Sequence, residues 1–207
     1  MKNKHITPAR RTSLELLNKI LASNEPFEKI ILSSKKFLSL DDKDKRFTRL
    51  IITTVLRKFG QIDFIINQFI KKGSIKKNNL KNIIRIGIAE LIFIKSARYA
   101  AINEAVETTK INYSKRLSKF TNAVLRNIDR DKEKLSSMIT DEMNYPSWLI
   151  EDWKQTWGTK QTREIINYFQ KEPYLDISVA GDPKEMEKVV KGKIIYNKTL
   201  RIDEIIN

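Results

Sequence analysis

The spacing of apolar residues between Pro8 and Ile128 is the feature that most constrains this fold. Throughout this stretch they recur at intervals of three and four residues, and no segment alternates apolar and polar residues. Intervals of three and four place side chains on one face of an α-helix, whereas a half-buried strand needs alternation. The sequence therefore predicts a mainly α protein in which residues 1–139 form a helical bundle with short links.

Two helix starts are predicted from residues that can accept hydrogen bonds from free backbone N–H groups. Thr7 is predicted as an N-cap, because Pro8 then occupies the first helical position, where its missing N–H costs nothing. Asn103 is predicted to cap a later helix, since Glu104 and Glu107 would place carboxylates in its first turn.

The segment FTNAVLRNI, from Phe120 to Ile128, mixes an apolar stripe with two polar residues. Its stripe is predicted to consist of Phe120, Ala123, Val124 and Ile128. Asn122 lies off this stripe near the expected start of the helix, so we predict that it caps the helix or bonds a neighbouring backbone group. Arg126 also lies off the stripe and is a candidate contact for a partner.

The sequence pattern changes near Asp141. Helices are expected on both sides of Gly158, and three tryptophans before it favour a packing face over base stacking. Beyond Pro173, a strand, a short helix and a strand pair that turns near Asn197 are predicted. These strands are too few to close a sheet, so the chain is expected to be cut short. The predicted division is a bundle at 1–139, a helical linker at 140–172 and a small α/β subdomain at 173–207.

The whole chain has a formal net charge of +15, and its positive charge is concentrated in the first two thirds. Residues 1–139 hold 30 Lys and Arg against 13 Asp and Glu, a balance of +17, whereas residues 140–207 hold 10 against 12, a balance of −2. An AT-rich genome would by itself favour Lys, which outnumbers Arg 28 to 12. Such a bias should act evenly, so the uneven division favours a polyanion such as nucleic acid as partner.

Residues suited to catalysis or metal binding are few. The chain has no cysteine, which excludes a disulfide framework, a thiolate metal site and a thiol nucleophile from these residues. His5 is the only histidine, and the six glycines never fall at the spacing of a phosphate-binding loop. Adjacent carboxylates such as Asp41 and Asp42 fit a helix start better than acid–base catalysis. We expect no catalytic residue and no metal, and a function through binding.

The first eleven residues are polar and basic, with no apolar segment of the kind that a secretory leader has. The most apolar run, Ile83 to Ile94, is short for a membrane span and contains Arg85 and Glu90. We therefore expect a cytoplasmic protein without a membrane partner.

Three stretches carry a family signature: DKDKRFTRLIITTVLRKFGQID from Asp42, AINEAVETTK from Ala101 and SKFTNAVLRNI from Ser118. Together they resemble the NusB-like helical domain. The family's free-standing transcription antitermination factor usually has an acidic residue where this chain has Arg126. The continuations NYPSWLIEDWKQTWG and NYFQKEPYLDISV are similar to the linker and first strand of bacterial ribosomal RNA cytosine-5 methyltransferases of the Sun type, also called RsmB. At Arg98-Tyr99-Ala100 relatives often carry Pro and His instead.

The resemblance implies a NusB-like bundle that is joined, through a small RRM-like α/β subdomain, to a catalytic domain that uses S-adenosylmethionine. Methylation at cytosine C5 needs a thiolate that adds at C6, and this chain has no cysteine. We therefore expect the N-terminal, RNA-binding and substrate-positioning region of an rRNA methyltransferase, inactive by itself and without a cofactor. S-adenosylmethionine is expected for the missing catalytic domain.

Two groups of basic residues are candidate RNA contacts, and small-subunit ribosomal RNA is the expected partner. The antitermination factor meets RNA with its basic first helix, so the resemblance implies Arg10 and Arg11, with Lys2 and Lys4 as an extension. The second group precedes or belongs to the signature helix and comprises Lys115, Arg116, Lys119 and Arg126. The alternative for each of these residues is a solvated basic face without a partner.

Two other functions remain open at this point. The chain could be an antitermination factor that binds a ribosomal protein as well as RNA, although residues 145–158 and the strand after Pro173 count against it, since a free-standing factor needs neither. It could also be a structural or regulatory bundle with no role in nucleic-acid binding.

Overall fold

The computed structural model describes residues 6–71, 75, 78–171 and 173–202. It contains two compact units, Met1–Asp152 and Trp153–Asn207, which are treated separately below. Lys2 and Lys4, two of the predicted RNA contacts, lie outside the described residues.

The first unit is a helical bundle, as the apolar spacing predicts. Its helices are α1 (Pro8–Ala22), α2 (Phe27–Leu32), α3 (Lys35–Leu38), α4 (Asp42–Arg57), α5 (Phe59–Phe69), α6 (Asn78–Ile88), α7 (Arg98–Asn112), α8 (Lys115–Arg130) and α9 (Lys132–Met138). A π-helical turn, Ala89–Ile94, continues α6, and a 3₁₀ turn, Asp141–Asn144, follows α9. Helix α10 (Ser147–Phe169) crosses the boundary between the two units.

The main core of the bundle is aliphatic and draws on most of its helices. Fully buried side chains come from α1, α4, α5, α6 and α8, among them Leu17, Ile51, Ile62, Ile84 and Leu125. Helices α6 and α8 approach each other closely at Gly87, where an added Cβ would lie 2.8 Å from a methyl carbon of Leu125. A side chain at position 87 would therefore require the Leu125 side chain to move.

Two details of α7 and α8 differ from the sequence-based expectations. Helix α7 begins at Arg98 rather than after Asn103, so Asn103 lies inside the helix and its predicted capping role is wrong. Asn122 likewise lies in the middle of α8, whose N-cap is Ser114, with a hydroxyl that accepts a hydrogen bond from the backbone N–H of Leu117. On the predicted stripe Ala123 is exposed, and Leu125 is buried in its place.

Thr7 occupies the predicted N-cap position of α1, but its side chain makes no capping hydrogen bond. Its hydroxyl instead donates to Oε2 of Glu104 at 2.8 Å, and its backbone N–H donates to the same oxygen at 2.9 Å. The sequence thus predicts where α1 begins, whereas the hydroxyl connects α1 to α7.

The second unit contains the end of α10 and a small antiparallel sheet. Helix α10 is interrupted at Gly158, which has φ 78° and ψ 164°, as predicted from the glycine. Strands β1 (Leu175–Ser178), β2 (Gly192–Tyr196) and β3 (Thr199–Ile202) pair in the order β1-β3-β2, and helix α11 (Pro183–Val190) packs against β2 and β3. Trp153 contacts both Trp157 and Phe169, with ring centroids 6.2 Å apart in each pair.

Among the described residues, none of the helices combines the length and the apolar character that crossing a membrane requires.

Candidate nucleic-acid interface

Helices α7 and α8 form a tightly packed antiparallel hairpin, and a groove runs along one side of it. Two residues, Tyr113 and Ser114, connect the helices. Between the helices, the buried hydroxyls of Thr109 and Thr121 lie 3.1 Å apart in a hydrogen bond. Because the helices are antiparallel, the start of α7 lies beside the end of α8, where both carry arginines.

A cavity of about 480 Å³ opens between the two helices. This volume is within the range of roughly 300 to 1,000 Å³ that is usual for small-ligand pockets. Its apolar wall is formed by Ile102 and Val106 of α7. Its polar lining consists of Arg98, Tyr99, Asn103, Asn122, Arg126, Asp129 and Arg130.

A second cavity of about 550 Å³ shares Arg98 and Asp129 with the first. The π-helical turn shapes its rim, because the turn ends at Lys95 in the left-handed conformation, with φ 56°. The two cavities together are lined by five basic side chains and two carboxylates. The basic residues are Lys95, Arg98, Arg126, Arg130 and Lys132, and the acidic ones are Asp129 and Glu133.

Neighbouring side chains orient two of the groove arginines, but only one of these neighbours carries a negative charge. Oδ1 of Asn122 accepts a hydrogen bond from Nε of Arg126 at 3.0 Å, which leaves the two terminal nitrogens of this exposed guanidinium without a protein partner in the described residues. Nε of Arg98 lies 2.9 Å from Oδ2 of the buried Asp129, yet 72% of the Arg98 side chain is exposed. Exposed cations in a concave surface attract phosphate groups.

Three of the predicted RNA contacts lie on one side of α8. Lys115, Lys119 and Arg126 follow the helical intervals i, i+4 and i+11, with Asn122 between them at i+7, and all three basic residues are exposed. Arg116 is also exposed but lies about 100° around the helix from Lys115. The stripe of Lys115, Lys119 and Arg126 therefore extends the groove along α8, and Arg116 does not belong to it.

Arg10 occupies a buried ion-pair network on the opposite side of α7. Its Nε and terminal nitrogens donate to both carboxylate oxygens of Glu90, with distances of 2.6 to 3.1 Å, and to Oε1 of Glu104 at 2.8 Å. The exposed fraction of the side chain is 13% for Arg10 and 1% for Glu90. Its guanidinium also lies 5.1 Å from the ring centre of Phe47.

The network holds Arg10 firmly in its charged form. Burial lowers the pKa of Arg10, but hydrogen bonds to Glu90 and the charges of Glu90 and Glu104 outweigh burial and raise the pKa above its ordinary value. This network counts against the prediction that Arg10 contacts RNA, because almost all of its donors are used inside the protein. Arg11, the next residue, is exposed and stays a candidate contact.

Sequence reasoning missed most of the groove. With the start of α7 predicted at Asn103, Arg98 and Tyr99 fall outside the predicted helix. The residue at the N-cap position is Ala97, whose side chain cannot cap, so the sequence lacks the usual signal of a helix start here. Once the helix starts at Arg98, the positions 98, 102 and 106 fall on one face, and the groove side of α7 becomes visible in the sequence.

No group of three or more His, Cys, Asp or Glu that could hold a metal ion occurs within the part of the chain that the structure describes.

The helices that form this groove lie in a region that matches a known protein family. The model of the NusB family matches residues 7–130, which span α1 to α8 and end at the last residue of the groove helix. The crystal structure of PH0851 has a TM-score of 0.67 and 17% identity; the match covers 100% of this chain and 51% of that one. At this identity the likeness concerns the fold alone.

Curated relatives carry the name ribosomal RNA small subunit methyltransferase B. Two that are named as probable members, from Synechocystis sp. and from Bacillus subtilis, are each 30% identical to this chain, over 151 and 169 residues respectively. These matches cover 68% and 77% of this chain but 33% and 37% of the relatives. The chain thus spans about a third of the length of these relatives. Because the family model matches more than half of the residues, this chain belongs to the NusB family.

Proposed function

We propose that this chain is the RNA-binding and substrate-positioning region of a ribosomal RNA methyltransferase, and that the α7–α8 groove is its RNA contact. The observation that carries the proposal is the pair of adjoining cavities lined by five basic side chains. The names of the curated relatives support ribosomal RNA as the substrate.

The groove combines two features that suit RNA. Arg126, Arg98 and the basic stripe on α8 can contact phosphates, which supplies affinity that depends on salt. Tyr99, whose exposed fraction is 72%, lies in the lining of the first cavity and offers a ring to an unpaired base. Phosphate contacts would set the orientation of the RNA, and single-stranded segments would be preferred over duplex.

The experiment is a salt titration of binding to fragments of small-subunit ribosomal RNA. We expect Arg126→Glu to weaken binding about tenfold at low salt and to reduce the slope of log affinity against log salt by about one. Arg116→Glu is the matched control, because it makes the same charge change on the same helix away from the groove. We expect it to weaken binding by less.

Equal losses in the two variants would show that diffuse charge, and not the groove, attracts RNA. Unchanged affinity and slope in Arg126→Glu would contradict the proposed contact. Thermal unfolding should confirm that both variants keep the wild-type fold, since both side chains are exposed.

Several earlier expectations stay predictions. They are the binding of S-adenosylmethionine by a catalytic domain outside these residues, a contact with a ribosomal protein and a cytoplasmic location.

A further inference from the structure

The π-helical turn Ala89–Ile94 is fastened through one residue, Glu90, by both its side chain and its backbone. The Glu90 side chain is 1% exposed, and its carboxylate accepts three hydrogen bonds from Arg10 of α1. The backbone carbonyl of Glu90 accepts the N–H groups of Lys95 and Ser96, the latter at 2.9 Å. The side chain of Glu90 thus connects the turn to α1, and its carbonyl determines how the turn ends.

The end of this turn has an unfavourable backbone conformation. Lys95 has φ 56° and ψ 39°, in the left-handed region that a residue with a Cβ rarely adopts. Such a conformation, like the π-helical turn before it, persists only where the surrounding structure holds it in place. The hydrogen bonds to the Glu90 carbonyl hold it at the rim of the second cavity.

Arg10 also contacts α7, on the far side of the same segment. Its other terminal nitrogen donates to Oε1 of Glu104 at 2.8 Å. One guanidinium therefore joins residues 90 and 104, and the chain between them supplies much of the α7 side of the groove. The groove residues that belong to this segment include Lys95, Arg98, Tyr99 and Ile102.

The shape of the Arg10 side chain matters for this connection as much as its charge. A guanidinium presents its N–H groups in a rigid planar fork and can join two carboxylates at fixed angles, whereas an ammonium is a compact point charge. The Glu90 side chain has almost no access to water, so a weaker partner leaves its carboxylate poorly compensated, and the turn that carries it has to adjust. An adjustment at Glu90 also moves the carbonyl oxygen that holds Lys95.

We propose that Arg10 is a positioning residue for the groove, which affects RNA binding without touching RNA. Through Glu90 and Glu104 it fixes the chain between them. That chain in turn places Lys95 and Arg98 at the rim where RNA is bound. The proposal rests on the proposed function in one respect, namely that RNA is the ligand of the groove.

The test compares Arg10→Lys with Arg85→Lys in the 207-residue chain. Arg85 is a matched control, because it is also buried and donates from two nitrogens to the carboxylate of Asp63, each at 2.8 Å. It lies outside the lining of both cavities. Neither substitution changes the net charge, so a difference in RNA binding between the two variants cannot come from the number of charges.

Amide hydrogen exchange, measured by NMR, reports on the rim in the absence of RNA. In Arg10→Lys the Ser96 N–H should exchange about tenfold faster than in the wild type, because its acceptor, the Glu90 carbonyl, is held less firmly. Amides in the middle of α8, such as that of Leu125, report on the stability of the whole bundle and correct for a global loss. In Arg85→Lys the corrected exchange rate of Ser96 should equal that of the wild type.

Binding to fragments of small-subunit ribosomal RNA measures the consequence for the groove. Arg10→Lys should weaken binding about fivefold and lower the slope of log affinity against log salt, because the rim cations no longer meet phosphates in the same geometry. Partial unfolding alone would reduce the fraction of competent protein and leave this slope unchanged. In a Lys95→Ala background Arg10→Lys should have a smaller effect, since one of the residues through which it acts is gone.

The outcomes separate this proposal from the proposed function. An unchanged exchange rate of Ser96 in Arg10→Lys would overturn the positioning role, whatever happens to RNA binding. Faster exchange with unchanged RNA affinity would also overturn it, while the proposed function would stand if Arg126→Glu binds weakly. Equal losses of RNA affinity in Arg10→Lys and Arg85→Lys would show that stability alone matters, which overturns it too. If the wild-type chain binds no RNA fragment, both proposals fail.

Discussion

Helix α7 separates two sets of basic side chains that have opposite surroundings. On one side Arg10 is 13% exposed and paired with two carboxylates. On the other side Arg126 is exposed, with an amide as its only hydrogen-bond partner in the described residues, and Arg98 is 72% exposed despite its ion pair. The difference teaches that pairing with a carboxylate does not by itself decide whether a basic residue is accessible: Arg10 is enclosed by its partners, whereas Arg98 stays exposed beside a buried one.

The largest effect is expected from Arg10. Arg10→Ala leaves Glu90 and Glu104 without their cation, and an unpaired buried charge costs several kcal/mol. We expect the free energy of unfolding to fall by about 3 kcal/mol, measured by urea denaturation. Arg11→Ala, at the exposed neighbouring position, should change it by less than about 0.5 kcal/mol. Similar losses in the two variants would remove the proposed contrast between buried and exposed arginines.

Asp63, which is ion-paired with Arg85 and Lys81, is a second internal charge. Its contribution to stability should depend on pH. Burial raises the pKa of Asp63, but hydrogen bonds and charges from Arg85 and Lys81 outweigh burial and hold the pKa below its ordinary value. A carboxyl whose pKa is lower in the folded state stabilises the fold above its unfolded pKa and loses that contribution as pH falls through the folded pKa.

Asp63→Asn should therefore lower the free energy of unfolding by about 2 kcal/mol at neutral pH, because Arg85 loses its charged partner. The gap between wild type and variant should shrink as the pH falls from the unfolded-state pKa of about 4 towards the lower pKa that Asp63 has in the folded protein, since the unfolded chain binds the proton first. Urea denaturation across this pH range measures both. A gap that stays constant into acid would show that the charge of Asp63 does not stabilise the bundle.

Asp129 connects the protein interior with the groove, because its carboxylate is buried and its partner Arg98 lines the groove. We expect Asp129→Asn to lower the free energy of unfolding by about 1 kcal/mol and to strengthen RNA binding about threefold, since it removes a negative charge from both cavities. Urea denaturation measures the expected loss of stability, and RNA titration measures the expected gain in affinity. Weaker RNA binding at unchanged stability would contradict the assignment of the groove.

The smallest effect is expected from Asn122. Asn122→Ala removes the acceptor that orients Arg126 but leaves its charge. RNA affinity should fall about twofold with an unchanged salt slope and unchanged stability, because both side chains lie at the surface. Asn127→Ala on the same helix is a matched control and should leave RNA affinity unchanged. An effect as large as that of Arg126→Glu would mean that Asn122 contacts RNA directly.

Local sequence patterns predicted the architecture well. Apolar residues at helical spacing gave the bundle, Pro8 after Thr7 gave the start of α1, and Gly158 gave the break in α10. The turn at Asn197, with φ 44°, lies between the predicted pair of strands. These features depend on residues close together in the chain, whose backbone preferences need no distant contact.

The candidate site was predicted only in part. Lys115 and Lys119 were predicted because they precede the signature segment, and Arg126 because it lies off the apolar stripe. Arg98, Tyr99 and Lys95 were missed, since the start of α7 lacks a capping side chain and a π-helical turn precedes it. Neither feature leaves a regular pattern in the sequence.

The sequence by itself determined that this chain forms a basic helical bundle followed by a small α/β unit. Only the tertiary structure decided which arginines are enclosed in ion pairs and which are exposed. Arg10 and Arg11 are adjacent in the chain, yet the carboxylates that bury Arg10 lie 80 and 94 residues away. A charge is buried or exposed according to neighbours that folding brings together, and local periodicity carries no information about them.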